Sequence, residues 1–298
     1  MTSPKISLTS WPAPAKLNLF LHITGQREDG LHCLQTIFQI LDICDTLQFE
    51  ITDDGVVSRL TESDIPQDED LIVKAARLLQ SHAGVSQGVS IYIDKQLPIG
   101  GGLGGGSSNA ATTLVALNHL WGCGLSIDDL ASLGVQLGAD VPIFVRGISA
   151  WAEGIGEQIS AINLPKSHYV VIFPQIFVST GKVFAHSQLR RDCTTITIRD
   201  FSEVLDNLGY ETAFRRVENV CEPVVRDMVP EVDAALKDLA EFADARLTGT
   251  GACVFARFDS EVAARQAWQV LNKKWTAFLA QGVNRSALYD VLESQSSC

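Results

Sequence analysis

A run of glycine and serine between Leu97 and Asn109 contains the residues of this chain that are best suited to chemistry. Six glycines fall within the seven positions 100–106, and Ser107 and Ser108 follow them. Apolar residues then recur at the spacing of one helix face, at Ala110, Leu114, Leu117 and Trp121. Glycines in front of a helix let a ligand approach the backbone closely, and the N–H groups and dipole of a helix N-terminus favour an anion. The run therefore predicts a phosphate-binding loop, with Ser107 or Ser108 as the cap of the helix.

Other glycine-rich patterns fit this run less well. A flexible linker, the structural alternative, would be longer and more polar and would not lead into a phased helix. The Walker A pattern ends in Gly-Lys-Ser/Thr, whereas Gly106 is followed by serine. A dinucleotide-binding loop needs a strand that leads directly into its first glycine, and here Pro98 interrupts the chain after the strand predicted at 89–93. A Ser126…Asp129 capping box and a second helix follow, which is not the order of a Rossmann unit.

Two polar side chains lie on one face of an apolar strand near the start of the chain. Leucine and isoleucine alternate through 17–23, so Lys16 and Asn18 project together from the opposite face. An ordinary solvent-exposed face is the alternative. The apolar Phe20 on that same face makes full solvation less favourable.

Asp140 is the other candidate for chemistry. It stands in Gly-Ala-Asp-Val-Pro, directly after a helix that we expect to end at Gly138. Its carboxylate has two interpretations, as a cap of the short turn ahead of Pro142 or as a chemically active group.

These residues must be positioned by strands and helices that mix without strict β-α-β order. The predicted strands are Ile6–Ser10, 15–23, 31–41, 47–51, 89–93, a hairpin at 147–156, 168–173, one ending near Ala256, and 275–280. We also expect a hairpin at the Asp53-Asp54-Gly55 turn. The predicted helices are 71–79, 110–121, 126–137, one beginning at Pro230, and 260–271. The pattern indicates an α+β fold in layers, with a domain boundary within 161–167.

Composition limits the classes of function. The chain has 298 residues, 46% of them hydrophobic, and a net charge of −12, which argues against general binding to nucleic acid or anionic membranes. Its seven cysteines are scattered without a C-x-x-C pair, which indicates reduced thiols. We see no signal peptide and no membrane-spanning run, and we expect a cytoplasmic protein that is a monomer or a weak homodimer.

Four stretches together resemble the superfamily of galactokinase, homoserine, mevalonate and phosphomevalonate (GHMP) kinases. They are Pro14-Ala-Lys-Leu-Asn-Leu19, Pro98–Ser108, Gly138-Ala-Asp-Val-Pro142 and Leu247-Thr-Gly-Thr-Gly-Ala252, and the resemblance covers nearly the whole chain. The narrower resemblance is to kinases that act on a cytidine diphosphate ester. It is carried by Pro14-Ala-Lys-Leu-Asn-Leu19, by Asp29-Gly-Leu-His32 followed by Leu34-Gln-Thr36, and by the full run Gly100–Ser108.

The resemblance implies a two-domain fold and a reaction. The expected N-terminal, ATP-binding domain at 1–163 is like ribosomal protein S5, the C-terminal domain at 164–298 is ferredoxin-like, and substrate binds between them. The expected reaction is ATP-dependent phosphorylation of a hydroxyl on the methylerythritol part of the ester, giving the 2-phosphate for the non-mevalonate route to isoprenoid precursors. Mg²⁺ is expected to bridge the ATP phosphates; its protein ligands are unknown, and Ser107 and Ser108 are the weak candidates.

The resemblance also implies roles for individual residues. Lys16 and Asp140 are expected to flank the acceptor hydroxyl, with Asp140 accepting its proton or orienting it and Lys16 offsetting negative charge. The expected substrate-binding residues are Asn18, His32, Phe38, Thr180 and Phe184. The expected ATP-binding residues are Lys95, Pro98, Ile99, Gly100, Gly101, Gly102, Leu103, Gly104, Gly105, Gly106, Ser107 and Ser108.

Two positions depart from the family's usual pattern. Leu31 stands where tyrosine usually stacks on cytosine, so an aliphatic side chain is expected to cover one face of the base, opposite Phe184. Asp70 stands where asparagine usually precedes the helix, so a polar contact near the adenine is expected to differ.

Three functions remain after this comparison. The first is the cytidine diphosphate ester kinase. The second is another small-molecule kinase of the superfamily, of the homoserine or mevalonate type, against which the Asp29–His32 motif and the Lys16/Asn18 pair argue. The third is a nucleotide-binding regulator without catalysis, against which the presence of both Lys16 and Asp140 argues.

Overall fold

The computed structural model describes residues 9–296, so most of the strand predicted at Ile6–Ser10 lies outside the described residues. The strands are β1 (Trp11–Gln26), β2 (His32–Thr52), β3 (Val57–Arg59), β4 (Gly88–Asp94), β5 (Ala150–Glu153), β6 (Gln158–Ala161), β7 (His168–Phe173), β8 (Ala245–Leu247), β9 (Val254–Phe258) and β10 (Thr276–Val283). The helices are α1 (Leu71–Ala83), α2 (Gly105–Leu120), α3 (Ile127–Val135), α4 (Val141–Arg146), α5 (Thr180–Phe184), α6 (Ile198–Leu208), α7 (Tyr210–Phe214), α8 (Glu222–Met228), α9 (Pro230–Ala240), α10 (Glu261–Leu271) and α11 (Ala287–Ser296). The predicted α+β class is confirmed.

Within residues 9–296 the ten strands form one sheet, whose main path runs β3-β4-β2-β10-β7-β9-β8. Strand β1 pairs antiparallel with β2, and β5 pairs with both β2 and β6. Strand β10 joins the two halves, because it pairs with β7 along most of its length and with β2 at Gly282 and Val283. The last part of the chain therefore connects the N-terminal and C-terminal strands.

The hairpin predicted at Asp53-Asp54-Gly55 is wrong. Strands β2 and β3 do not pair with each other; β4 lies between them, antiparallel to β2 and parallel to β3. A parallel neighbour requires a crossover connection, and the segment that contains α1 supplies it. Alternation of apolar residues predicts a strand but does not identify its partner.

Strand β1 contributes to three hydrophobic clusters. Trp11 packs with the helices of the N-terminal half, Leu17 lies in the central cluster, and Ile23 lies in the C-terminal one. Both faces of the strand are therefore covered, and the exposed fractions of Lys16 and Asn18 are only 3% and 4%. The solvent-exposed face considered from the sequence is wrong, because the glycine run, Asp140 and the turn that contains Thr248 cover that face.

Several local predictions are confirmed. Ser126 and Asp129 form a reciprocal capping box at α3, and Pro230 is the first residue of α9. The expected end of α3 at Gly138 is wrong, because the helix ends at Val135 with Gln136 as its C-cap.

Within residues 9–296, no helix is long and apolar enough to cross a membrane, and the six cysteines carry free thiols.

Candidate active site

A cleft with a volume of about 820 Å³ lies where the four sequence stretches of the resemblance meet. The glycine run and Asp140 line one part of it, Lys16 and Asn18 line its floor, and Thr180, Phe184 and the second glycine turn at 249–251 line another part. The two glycine turns contact each other directly, since the Cys253 N–H donates to the Gly101 carbonyl at 2.9 Å. The fold thus brings together side chains that are distant in the sequence.

The ammonium of Lys16 has three oxygen partners. It donates to Asn18 Oδ1 at 2.5 Å and to the Gly102 carbonyl at 3.0 Å, and it lies 3.3 Å from Asp140 Oδ2. Because an ammonium has three N–H donors, each has an oxygen within reach. The ring of Phe38 lies 5.4 Å from Nζ and adds an aromatic face to the same surroundings. The charge is buried but fully compensated.

Hydrogen bonds fix the orientation of the Asn18 side chain. Its Nδ2 donates to Thr36 Oγ1 at 2.9 Å, and that hydroxyl donates onward to the Phe20 carbonyl at 2.5 Å. The Asn18 backbone N–H donates to Thr248 Oγ1 at 2.9 Å, across to the second glycine turn. The amide oxygen is therefore directed at Lys16, because the amide nitrogen already has its acceptor.

Asp140 occupies the N-cap position of α4, but its side chain makes no capping hydrogen bond. The carboxylate lies beside Lys16 instead, and the side chain keeps 35% of its surface exposed to the cleft. The turn-capping interpretation is therefore wrong for the side chain. The carboxylate is held by one cation and remains accessible to a ligand.

The glycine run leads into α2 one turn earlier than its serines predict. The helix begins at Gly105 with Gly104 as its N-cap at φ +73°, without a side-chain cap. The expected cap at Ser107 or Ser108 is therefore wrong. The first intrahelical bond of the turn runs from the Ser108 N–H to the Gly104 carbonyl at 2.8 Å, and the N–H groups just before it are available to an anion.

Close packing explains why the N-cap of α2 is glycine. A Cβ atom at Gly104 would lie 2.7 Å from Phe144 Cζ and 3.2 Å from Lys16 Cε. The positive φ would add strain for any other residue. Gly104 thus keeps the loop in contact with Lys16.

A buried carboxylate that sequence reasoning missed anchors the start of the loop. Asp45, on β2, is fully buried, and its Oδ1 accepts from the backbone N–H groups of Gln96 and Leu97 at 2.8 Å. Its Oδ2 accepts from Lys95 Nζ at 2.6 Å, which places the lysine beside the glycine run. Nothing in the sequence around Asp45 indicates this partner, because β2 and the loop meet only in the fold.

Most of the predicted ATP-binding residues line the cleft, and two do not. Those that line it are Lys95, Pro98, Ile99, Gly100, Gly101, Gly102, Gly104, Gly105, Gly106 and Ser107. The Leu103 side chain lies in the central core, and its carbonyl accepts from the Lys16 N–H at 3.0 Å. Ser108 is fully buried, and its hydroxyl has no partner within the described residues.

The predicted substrate-binding residues meet at the other part of the cleft. Phe38, Thr180 and Phe184 line it, and the Thr180 hydroxyl lies 2.8 Å from that of Thr250. His32 is not a lining residue but stacks on Phe184, with ring centroids 5.1 Å apart and planes 19° apart. Burial, and then the charge of Arg191, lower the pKa of His32 below its usual value.

Leu31 does not take part in this aromatic pair. It lies in the turn after β1, 47% exposed, and outside the lining of the cleft. The stacking partner of Phe184 in the described structure is His32. The arrangement with the base between residues 31 and 184 stays a prediction.

Asp70, the second departure from the family pattern, has a local role. Its Oδ1 accepts from the Ile72 N–H at 2.9 Å as the N-cap of α1, and its Oδ2 pairs with Arg59. Both residues line the cleft near the glycine run. Arg59 also donates to the carbonyls of Thr61 and Ile65, so this ion pair holds the wall formed by 61–65.

The acidic residues of the site suit a metal ion that is held chiefly by phosphates. Within residues 9–296, no group of three or more His, Cys, Asp and Glu side chains is placed to hold a metal ion. Mg²⁺ in phosphoryl-transfer sites keeps several waters and needs only one or two carboxylates besides the phosphates. The accessible carboxylate of Asp140 and the hydroxyl of Ser107, which lies near the 138–140 turn, fit that requirement.

Two family models match most of this chain. Residues 70–148 match the family "GHMP kinases N terminal domain", and residues 187–277 match "GHMP kinases C terminal". The fold and the site thus define an ATP-dependent small-molecule kinase of the GHMP class.

Curated relatives identify the branch of this class. The 4-diphosphocytidyl-2-C-methyl-D-erythritol kinase of Nitrosococcus oceani is 52% identical over 284 residues, which cover 95% of this chain and 98% of that protein. The kinase of the same name from Alkalilimnicola ehrlichii is 52% identical over 288 residues, 96% of this chain and 94% of that protein. The chain belongs to the 4-diphosphocytidyl-2-C-methyl-D-erythritol kinase family.

Solved structures give the same result for the fold. A crystal structure of 4-(cytidine 5'-diphospho)-2C-methyl-D-erythritol kinase superposes with a TM-score of 0.80 at 30% identity, covering 92% of this chain and 100% of that one. The mevalonate kinase of Methanococcus jannaschii shares the fold, with a TM-score of 0.66 at 16% identity over 94% of this chain and 100% of that one. The predicted GHMP kinase fold is confirmed.

Proposed function

We propose that this enzyme transfers the γ-phosphoryl group of ATP to the 2-hydroxyl of 4-diphosphocytidyl-2-C-methyl-D-erythritol, in the non-mevalonate route to isoprenoid precursors. The observation that carries the proposal is the Lys16–Asp140 pair, 3.3 Å apart in one cleft with the glycine run and with Phe184. The names and high identity of the curated relatives support the same substrate.

The glycine run binds the triphosphate in this proposal. The free N–H groups at the start of α2 and the helix dipole favour the phosphate oxygens. Lys95, held by Asp45, adds a cation at the edge of the loop. Mg²⁺, held by phosphate oxygens with Asp140 and Ser107 nearby, would supply charge neutralisation.

Asp140 accepts the proton of the acceptor hydroxyl or orients that hydroxyl. As the oxygen forms its bond to the γ-phosphorus, the bond from that phosphorus to the bridging oxygen of ADP breaks, and the proton passes to the carboxylate. Lys16 is already fixed by Asn18 and Gly102, so it offsets the charge that develops without having to reorient.

The substrate end is the half of the cleft with the aromatic side chains. Phe184 offers a ring face for the base, and Asn18, Phe38 and Thr180 line the space for the rest of the ester. His32 contributes through its stack on Phe184. We place the boundary between the ATP-binding domain, 1–163, and the C-terminal domain, 164–298, in the connection between β6 and β7. The hydrophobic cluster that contains Trp11 supports this division, since all of its buried residues except Leu288 precede that connection.

An acceptor panel tests the proposed function. The purified protein is incubated with ATP, Mg²⁺ and one of 4-diphosphocytidyl-2-C-methyl-D-erythritol, mevalonate or homoserine, and ³¹P NMR follows the products. We expect a new phosphomonoester only with the cytidine diphosphate ester. Phosphorylation of mevalonate or homoserine alone would assign the enzyme to another branch of the class. If phosphate were transferred to none of the acceptors, the result would favour a nucleotide-binding regulator without catalysis.

A further inference from the structure

Arg191 connects two parts of the chain at the substrate end of the cleft. Its Nη2 donates to the carbonyls of Phe184 and His186, at 2.6 and 2.9 Å, and its Nη1 donates to the Leu189 carbonyl at 3.0 Å. Its Nε donates to Nε2 of His32, on β2, at 3.2 Å. Every nitrogen of the guanidinium therefore has an acceptor, and one of them is a ring nitrogen.

The chemistry of arginine decides the state of that ring. A guanidinium has five N–H donors and no acceptor, and it stays protonated in proteins. Nε2 of His32 must then accept with its lone pair, so the imidazole is neutral and carries its proton on Nδ1. The positive charge of Arg191 also opposes protonation of the ring, in the same direction as burial.

The same side chain holds the partner of the stack. Phe184 is the last residue of α5, and its carbonyl is free of a helical partner at that position. Arg191 supplies the donor for it at 2.6 Å. One guanidinium thus holds the backbone that carries the Phe184 ring and the edge of the imidazole that stacks on it.

We propose that Arg191 is a positioning residue for substrate binding, which holds His32 as the Nδ1–H tautomer and keeps its ring stacked against Phe184. The inference rests on the proposed function for the identity of the ligand, the cytidine diphosphate ester. The assignment of the His32 tautomer does not depend on that function, because it follows from the hydrogen bond with Arg191 alone. Arg191 acts through His32 and Phe184 and takes no part in phosphoryl transfer.

Arg190 offers a matched control, because it is the adjacent arginine and its hydrogen bonds go to Cys193 and Glu218, outside the stack. It pairs with Glu218 at 2.6 Å, and the side chains of this pair are 49% and 56% exposed. We compare Arg191→Met, which removes the donors and the charge, Arg191→Lys, which keeps the charge, and Arg190→Met.

The first readout needs no ligand. Long-range ¹H–¹⁵N spectra of the full chain with ¹⁵N-labelled histidine, with His32 assigned from His32→Gln, report which ring nitrogen carries the proton. We expect the Nδ1–H tautomer in the wild type and in Arg190→Met. In Arg191→Met we expect the Nε2–H tautomer to become populated and the pKa of His32 to rise. An Nε2–H tautomer in the wild type would overturn the proposal even if the variants did not fold.

The second readout is steady-state kinetics with the cytidine diphosphate ester and ATP. Loss of hydrogen bonds that orient a binding group should raise the KM for the ester by about tenfold in Arg191→Met. The kcat and the KM for ATP should stay within about twofold of wild type, and Arg191→Lys should restore part of the affinity. Equal effects of Arg190→Met and Arg191→Met would contradict the proposal. If the wild type does not phosphorylate the ester, the proposed function fails while the tautomer measurement still decides the role of Arg191.

Discussion

The ammonium of Lys16 and the carboxylate of Asp140 lie 3.3 Å apart, yet their surroundings differ: the lysine side chain is 4% exposed and the aspartate 35%. The cation is fixed by neighbours on its own strand and on the glycine run, whereas the carboxylate is open to the cleft. This asymmetry suits a stationary charge beside a group that contacts the substrate.

Asp140→Asn should reduce turnover by about two to four orders of magnitude, the usual effect of losing a general base. The amide keeps the shape of the side chain but accepts no proton. ATP affinity, measured by calorimetry, should change little, because the glycine run is intact. Asp128→Asn, at an exposed carboxylate paired with Arg146, is the control and should keep normal turnover. Near-normal turnover of Asp140→Asn would exclude the catalytic role.

Gly106→Ala should weaken ATP binding at least tenfold without unfolding the protein, on the premise that phosphate approaches this backbone closely. A Cβ atom there would meet only Leu71 Cδ1, at 3.6 Å, and its φ is not positive. The folded state should therefore be kept or slightly stabilised, since alanine is a better helix former. Calorimetric titration with ATP and a thermal melt measure the two effects.

Gly25→Ala is the control for this loop variant, because a Cβ atom at Gly25 would meet nothing within 4 Å and the residue lies outside the cleft. It should bind ATP like the wild type. Unchanged ATP affinity in Gly106→Ala would show that the triphosphate does not contact the start of α2.

Phe184→Ala should raise the KM for the cytidine diphosphate ester by about one to two orders of magnitude, since stacking on an aromatic side chain is worth about 1–3 kcal/mol per base. The KM for ATP should hardly change. Phe242→Ala removes a half-exposed phenylalanine outside the cleft and should have no kinetic effect. An ester KM equal to that of the wild type would mean that the base binds elsewhere in the cleft.

The protein should become less stable as the pH decreases, because of His22. The residue is 6% exposed, its Nδ1 has no partner within the described residues, and its Nε2 accepts from the Glu218 N–H at 3.4 Å. Burial is the main cause that lowers its pKa below the usual 6.5. A lowered pKa means that the unfolded chain takes up the proton first, so the stabilisation present above pH 6.5 is lost as the pH falls through the folded-state pKa.

Urea unfolding between pH 7.5 and 5.5 measures this effect. In the lower part of that range, the free energy of unfolding should decrease with falling pH more steeply in the wild type than in His22→Leu. The difference in slope should be at most about 1.4 kcal/mol per pH unit. His82→Gln, at an exposed histidine, should follow the wild-type slope. Parallel slopes for wild type and His22→Leu would show that His22 binds its proton equally in both states.

The sequence predicted those features of the chain that depend on interactions between residues close together in the sequence. The strand at 168–173, the helix 261–271 and the Ser126–Asp129 capping box depend on periodicity and on neighbours a few residues away. The same reasoning misplaced the start of α2, since it favoured a serine cap over Gly104, whose conformation depends on contact with Phe144 and Lys16.

The sequence by itself determined the kinds of groups available: a glycine run before a helix, a lysine and an asparagine on one strand face, and an aspartate after a helix. Tertiary structure alone decided that Lys16 reaches Asp140, that Asp45 anchors Lys95, and that Arg191 orients His32. Each of these pairs joins residues far apart in the chain. Their meeting depends on which strands pair and which helix ends face the cleft, and that information is carried by the packing of the whole molecule, since no single segment contains both partners.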